Sequence, residues 1–212
     1  LLLGGTGHDL ASYIDAKSGV TVALDGSITA TGDAVGDQFD GIEGVIGSNF
    51  DDVIRGSLDD DELDGRRGAD VLAGGLGDDT YVFADGDGSD TISDGRLVNG
   101  ALDTGVNGGS NDIILFGDDV ALSDLTFRYN RNNLEITNGN LEITNGNSQI
   151  SITNFTNANN RIETLRFANG VSVNLGNILL SSVGDSKDDF LVSNGTINGN
   201  GGNDTIRARN GA

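Results

Sequence analysis

Residues 47–82 read GSNFDDVIR, GSLDDDELD, GRRGADVLA and GGLGDDTYV when they are written in units of nine. Glycine begins each unit, an aspartate stands at its sixth position, and an apolar residue or tyrosine stands at its eighth. These positions are Gly47, Gly56, Gly65 and Gly74, then Asp52, Asp61, Asp70 and Asp79, then Ile54, Leu63, Leu72 and Tyr81. One unit upstream, QFDGIEGVI keeps the phase with Glu43 and Val45. A repeat of fixed period predicts stacked, similar structural units.

A nine-residue unit is too short for a helical hairpin but holds a tight turn and a short strand. Side chains alternate along a strand, so the eighth residue points inward and its neighbours point outward. Glycine at the first position, and often at the second and fourth, supplies the backbone angles that a tight turn needs. The units therefore predict a right-handed coil of short parallel strands.

The spacing also predicts two columns of carboxylates. If two strands make one full turn, loops eighteen residues apart lie above each other, so Asp52 stacks on Asp70 and Asp61 on Asp79. Glu43 continues the second column. Stacked carboxylates repel each other unless a cation lies between them, and Ca²⁺ takes six to eight oxygen ligands in irregular geometry. An isolated Asp-Gly loop is better explained as a solvated turn, but five units in phase favour cation sites.

Three segments carry a family resemblance. GGLGDDTYV (74–82), GGTGHDLAS (4–12) and GNGGNDTIR (199–207) resemble the haemolysin-type (RTX) calcium-binding nonapeptide. GDGSDTI (86–92) resembles an element that follows such arrays, and the segment ending in RIETLRFANG (161–170) resembles the haemolysin-type calcium-binding-related domain. The resemblance implies an all-β fold: a right-handed parallel β-roll (the RTX solenoid) with a small, mainly antiparallel β-sheet domain capping it.

The resemblance also implies the ligands of several Ca²⁺ ions, with no catalytic residue. Acidic side chains at the sixth position are expected to bind the ions, together with loop residues through their backbone carbonyls. The acidic set is Asp9, Glu43, Asp52, Asp61, Asp70, Asp79, Asp90, Asp112, Asp189 and Asp204. The loop set is Gly47, Asn49, Gly56, Gly65, Arg67, Gly74, Leu76, Gly86 and Gly88. Phe50 and Asp59 replace the fourth-position glycine, which predicts weaker binding in the first two loops.

The pattern divides the chain into five segments. We expect the end of an upstream RTX array at 1–18, lead-in and capping strands at 19–46, and the calcium-binding β-roll at 47–112. A β-sheet domain at 113–180 and the start of a downstream array at 181–212 follow. Phe39, Ile42 and Val45 are expected to close the open apolar end of the roll. LEITNGN occurs at 134–140 and again at 141–147, which leaves the pairing register of this hairpin open.

Composition restricts the class of protein. The 212 residues include 34 glycines but no proline, cysteine, methionine or tryptophan, so no disulfide or thiolate metal site is available. The net charge of −21 argues against a nucleic-acid partner, because phosphate binding needs clustered lysine and arginine. No apolar run reaches the roughly 18 residues of a membrane span.

Three functions fit these observations. The first is a calcium-binding structural module of a large secreted or cell-surface bacterial protein, exported by a type I apparatus and folding on extracellular calcium. It would serve as a rod or assembly element of a surface layer, fibril or adhesin, with neighbouring repeats and identical subunits as partners. The second is the C-terminal calcium and secretion module of a secreted epimerase, protease or lipase. The third is a binding module whose Asn/Thr-rich residues 130–160 contact a glycan.

Overall fold

The computed structural model describes residues 1–95, 97–98, 101–102, 108–130, 133–138, 148–153, 161–175, 190–193 and 205–208. The described chain is nearly all β. The first strands are β1 (Leu2–Leu3), β2 (Leu10–Ser12), β3 (Thr21–Ala23), β4 (Phe39–Asp40), β5 (Gly44–Ile46), β6 (Val53–Arg55), β7 (Glu62–Asp64), β8 (Val71–Ala73), β9 (Thr80–Phe83) and β10 (Ser89–Ile92). The later strands are β11 (Leu97–Val98), β12 (Ala101–Leu102), β13 (Ile113–Phe116), β14 (Leu125–Asn130), β15 (Asn133–Asn138), β16 (Gln149–Ile152), β17 (Thr164–Phe167), β18 (Ser172–Asn174), β19 (Phe190–Ser193) and β20 (Thr205–Ala208). Short 3₁₀ turns occur at Gly32–Ala34 and Leu122–Asp124.

Two seven-stranded sheets form the body of the molecule. Sheet I has the order β14-β15-β16-β10-β8-β6-β3, and sheet II has the order β18-β17-β13-β9-β7-β5-β2. Consecutive strands of the repeat alternate between the sheets, so β6 and β8 pair in parallel in sheet I while β7 and β9 pair in parallel in sheet II. Each pair of nine-residue units therefore completes one turn of a parallel β-roll, and the predicted fold class is confirmed.

The eighth residue of each unit points into the core, as the alternation predicts. In sheet I, one ladder of paired residues lies fully buried: Val22, Ile54, Leu72, Ile92 and Ile152. In sheet II the matching ladder is Ala11, Val45, Leu63, Tyr81, Ile114 and Leu165. Both ladders belong to a single apolar core cluster between the sheets. Because the three-residue strands of the repeat each contribute about one large core side chain, burial there accumulates only through stacking.

The lead-in residues belong to the roll itself. β5 lies between β2 and β7 in sheet II, and Val45 is fully buried there. The expectation that Val45 closes the apolar end is therefore wrong, because two further strands, β2 and β3, extend the sheets beyond it. Phe39 and Ile42 are partly buried against the core.

The capping strands continue the same two sheets. β16 pairs in parallel with β10, and β13 pairs in parallel with both β9 and β17, so these strands are further turns of the roll. Antiparallel pairing appears beyond them, where β15 joins β14 to β16 and β18 pairs with β17. The antiparallel strands thus end each sheet instead of packing on the roll as a separate sheet.

Three small pairings complete the described strands. β1 pairs with β4 in parallel, β11 with β12 antiparallel, and β19 with β20 in parallel. The last pairing places Leu191 opposite Ile206.

Some predicted residues lie outside the described part of the chain. These are Asp189, Asp204 and the second LEITNGN copy, and the proposed segment boundaries stay predictions. None of the described helical segments is long and apolar enough to cross a membrane.

Candidate metal centre

The sixth-position aspartates fold back over the glycine that begins their own loop. A Cβ atom at Gly74 would overlap Asp79 Oδ2 and the hydroxyl of Tyr81, and one at Gly65 would overlap Asp70 Oδ2. The first position is therefore glycine because there is no room for a side chain. The positive φ angles that a turn needs occur instead at the second and fourth positions, as at Gly75 (119°) and Gly77 (103°).

Along one edge of the roll, backbone amides and carboxylates form a ladder, which we call the first column. The Val20 N–H donates to Asp52 Oδ1 at 2.7 Å, and the Asp52 N–H donates to Asp70 Oδ1 at 2.7 Å. The Asp70 N–H in turn donates to Asp90 Oδ1 at 2.9 Å. Asp52 and Asp70 are 18 residues apart, as the period predicts, while Asp70 and Asp90 are 20 apart because two residues are inserted.

The opposite edge carries the second column. The Asp61 N–H donates to Asp79 Oδ1 at 2.9 Å, and the Asp79 N–H donates to Asp112 Oδ1 at 2.8 Å across a separation of 33 residues. The Asp112 N–H then donates to Glu163 Oε2 at 3.0 Å. At the other end, the Asp9 N–H donates to Glu43 Oε2 at 2.9 Å, and the Glu43 carbonyl accepts from the Glu62 N–H at 2.8 Å.

Glu163 was not among the predicted site residues, although the sequence contains a signal for it. Glu163 and Leu165 repeat the spacing of the sixth and eighth positions, and Leu165 is fully buried opposite Ile114. The missing signal was a glycine at the start of the unit. Glutamates therefore flank the aspartates of the second column, Glu43 on one side and Glu163 on the other.

One oxygen of several acids is buried without a partner. Asp70, Asp79 and Asp112 are at most 1% exposed, and the Oδ2 atom of each accepts no hydrogen bond. Asp9 Oδ2 is also buried and unpartnered. A buried anionic oxygen without a hydrogen bond or counter-charge is strongly unfavourable. These oxygens therefore require either a proton or a cation.

The first two loops differ from the later ones. Ser48 and Ser57 occupy the second position, and their hydroxyls donate to Asp52 at 2.9 Å and to Asp61 at 2.9 Å. The backbone N–H of each serine donates to the same aspartate. The Oδ2 atoms of Asp52 and Asp61 therefore already accept hydrogen bonds from the protein, and weaker binding in the loops that contain Phe50 and Asp59 stays a prediction.

Burial raises the pKa of the column carboxyl groups. The pKa of Asp79 rises to about 9 and that of Asp70 to about 8, chiefly because both are removed from water and secondarily because of neighbouring carboxylates. The pKa of Asp90 rises to about 7 and that of Asp61 to about 6 for the same leading reason. At neutral pH the metal-free Asp70 and Asp79 carboxyl groups therefore hold protons that a cation would displace.

The most concentrated acidic cluster lies on the second column. Asp79, Asp94 and Asp112 are fully buried and can bring one carboxylate oxygen each within 4.8 Å of the others. Tyr81 donates its hydroxyl proton to Asp94 Oδ1 at 3.0 Å and accepts from the Gly74 N–H at 2.8 Å. Asp94 was missed because it is not at a sixth position.

The predicted loop residues lie in the turns beside the columns. Asn49 and Arg67 are exposed, 18 residues apart in stacked loops, whereas Gly47, Gly56, Gly65 and Gly74 are buried under the carboxylates. Leu76, Gly86 and Gly88 are half-buried. The role of their carbonyl oxygens as ligands stays a prediction.

Comparison with protein families agrees with this geometry. The model of the RTX calcium-binding nonapeptide repeat matches residues 46–81 and 183–212, with four copies. The chain carries RTX calcium-binding repeats. A second model, the haemolysin-type calcium binding protein related domain, matches residues 140–175. RTX nonapeptide repeats bind Ca²⁺, so Ca²⁺ is the cation of this chain, and the buried aspartate cluster is compatible with it.

The crystal structure of the extracellular lipase LipA from Serratia marcescens is similar at 19% sequence identity, with a TM-score of 0.27. The alignment covers 82% of this chain and 25% of the lipase, so the chain spans about a quarter of that protein's length. No curated protein sequence matches the chain.

Proposed function

We propose that this RTX chain is a non-catalytic folding module whose roll forms only when calcium binds the carboxylate columns. The observation that carries the proposal is the set of buried, unpartnered Oδ2 atoms on Asp70, Asp79 and Asp112. Their other oxygens already accept backbone N–H groups, so the protein orients each carboxylate and leaves one oxygen for an ion. Carboxylates held in this way suit a hard cation better than proton transfer.

Calcium would supply the free energy that the apolar core lacks. The strands of the repeat are only three residues long in β6, β7 and β8, and each buries about one large side chain. Without an ion, the carboxylates of each column must either bind protons or repel each other. Extracellular calcium modules bind with dissociation constants of roughly 10⁻⁴–10⁻³ M, so binding and folding would be coupled outside the cell.

We further propose that the module acts in a secreted or cell-surface bacterial protein, exported unfolded by a type I apparatus. The continuous stacking of turns in two sheets suits a rod or assembly element of a surface layer, fibril or adhesin. Fractionation of the producing bacterium with an antibody to this chain tests the location. Recovery of the chain only in the cytosol would contradict it.

A calcium titration followed by circular dichroism tests the folding proposal. We expect a disordered spectrum in chelator and a cooperative gain of β-structure as calcium approaches about 1 mM. The same titration with Mg²⁺ at equal ionic strength is the control, because Mg²⁺ demands near-ideal octahedral geometry and keeps its water. A cooperatively folded β-roll in excess chelator at about pH 9, where the column acids lose the protons that could replace the ion, would overturn the proposal.

A further inference from the structure

Asp94 occupies a position that is glycine in the regular units. Ile92 pairs with Leu72, so two residues further along Asp94 stands at the level of Gly74, the first residue of its loop. In the regular units, the sixth-position carboxylate occupies the space that a side chain on the first residue would need. Here the chain adds a second carboxylate beside Asp79, and Asp94 is 0% exposed.

The surroundings of Asp94 hold its side chain in one orientation. The Tyr81 hydroxyl donates to Asp94 Oδ1 at 3.0 Å, and this hydroxyl is itself fixed by the Gly74 N–H at 2.8 Å. A Cβ atom at Gly108 would overlap Asp94 Oδ2, so glycine is required there too. Asp94 Oδ2 is buried and unpartnered, like Oδ2 of Asp79 and Asp112.

The carboxylates of Asp79, Asp94 and Asp112 converge, and each has an Oδ2 atom that is buried without a hydrogen-bond partner, which points to a ligand. The single proton of Tyr81 is used on Asp94 Oδ1, so Tyr81 cannot neutralise the cluster. Within the described residues, the ion pairs involve Glu62 and Glu163 and do not reach these three aspartates. Only a cation or additional protons can fill the space, and three carboxylate oxygens within 4.8 Å match a calcium site.

We propose that Asp94 completes a buried calcium site with Asp79 and Asp112, and that Tyr81 is its positioning residue. The inference rests on the proposed calcium-dependent folding but adds a ligand from outside the repeat's acidic positions. Residues 95–107 separate Asp94 from the loop of Gly108–Asp112, where the chain rejoins sheet II at β13. An ion bound by Asp94 and Asp112 would therefore connect the two residues that flank this segment to Asp79 of the regular repeat.

Counting bound ions tests the site. Equilibrium dialysis with metal analysis should show one Ca²⁺ fewer for D94N than for the wild type, with the remaining ions retained. D60N is the matched control, because Asp60 is exposed and its Oδ1 accepts the Asp78 N–H at 2.8 Å. D60N should keep the wild-type count. An unchanged count for D94N would overturn the inference.

Tyrosine-sensitised terbium luminescence provides a second, local readout. The chain has no tryptophan and three tyrosines, so Y13F/Y129F leaves Tyr81 as the only sensitiser. We expect strong terbium emission from this variant and loss of most of it when D94N is added. Y81F keeps all three carboxylates, so it should retain the ion count while its affinity falls several-fold.

The two proposals fail in different ways. If the wild-type chain binds no Ca²⁺, the proposed function fails. If it binds Ca²⁺ and D94N leaves both the count and the Tyr81-sensitised emission unchanged, only the Asp94 site fails.

Discussion

At the scale of single residues, the first position of each unit is decided by space. Gly74 lies under Asp79 Oδ2 and the Tyr81 hydroxyl, and its φ is not among the positive angles of the chain. The same holds for Gly65 under Asp70 Oδ2. The sequence shows that these glycines are required, but their φ angles differ from the turn conformation that a repeated glycine suggests.

Gly74→Ala should therefore destabilise the calcium-bound roll by about 2–3 kcal/mol, the cost of overpacking a well-packed site. It should also weaken calcium binding, because the new methyl group displaces Asp79 Oδ2. Denaturant unfolding at saturating calcium and a calcium titration measure the two effects.

Gly36→Ala is the matched control for backbone strain. Gly36 has φ of 90° and nothing within 4 Å of an added Cβ, so only the left-handed conformation is penalised. We expect a cost of about 1–2 kcal/mol with unchanged calcium affinity. If Gly74→Ala and Gly36→Ala bind calcium with equal affinity, the lack of a side chain at residue 74 is not what allows Asp79 to take its binding orientation.

At the scale of the elements, the two carboxylate columns lie on opposite edges and are built from different loops. Asp52, Asp70 and Asp90 form one hydrogen-bonded ladder, and Asp61, Asp79 and Asp112 form the other. No ladder bond connects the columns within the described residues. Each column can therefore be perturbed separately, apart from the coupling through folding itself.

Asp70→Asn should weaken calcium binding on the first column and spare the second. Asparagine keeps an oxygen for the Asp52 N–H but loses the charge of the unpartnered Oδ2. Amide chemical shifts during a calcium titration report on each edge, since the ladder donors are backbone N–H groups. Asp79→Asn should give the opposite pattern. Equal losses on both edges for either variant would contradict the stacking of separate columns.

At the scale of the whole molecule, the columns make the stability of the calcium-free chain depend on pH. The pKa values of Asp70 and Asp79 are raised to about 8 and about 9 in the fold, against 3.8 for the ordinary carboxyl. The folded state then binds more protons than the unfolded state between these values. This contribution to stability is fully present below pH 3.8 and is lost as pH rises through 8 and 9.

We therefore expect the calcium-free chain to gain β-structure on acidification from about pH 9 to pH 5, with a slope of up to about 1.4 kcal/mol per pH unit for each proton bound. In saturating calcium this trend should disappear above neutral pH, because the ion replaces the protons. Circular dichroism at several pH values, with chelator and with calcium, provides the measurement. Greater stability of the calcium-free chain at high pH would contradict the burial of these acids.

The nine-residue repeat predicts the roll, its eighteen-residue turn and the inward-facing side chains of Ile54 and Leu72 in one sheet and of Leu63 and Tyr81 in the other. These features can be predicted from the nine-residue repeat because each unit contacts only its neighbours in the stack. The same period predicted which aspartates lie above each other. Asp112 was also expected at an acidic position, from GGSNDIIL (108–115), although Asn107 replaces the first-position glycine.

The position at which the chain rejoins the roll after each interruption depends on long-range strand pairing. The separation of 33 residues between Asp79 and Asp112, and of 51 between Asp112 and Glu163, breaks the period, so sequence spacing no longer gives position. For this reason Asp94 and Glu163 were missed, and the later strands were expected as a separate sheet. Backbone pairing across those gaps, and not local pattern, brings Asp94 against Asp79 and Asp112.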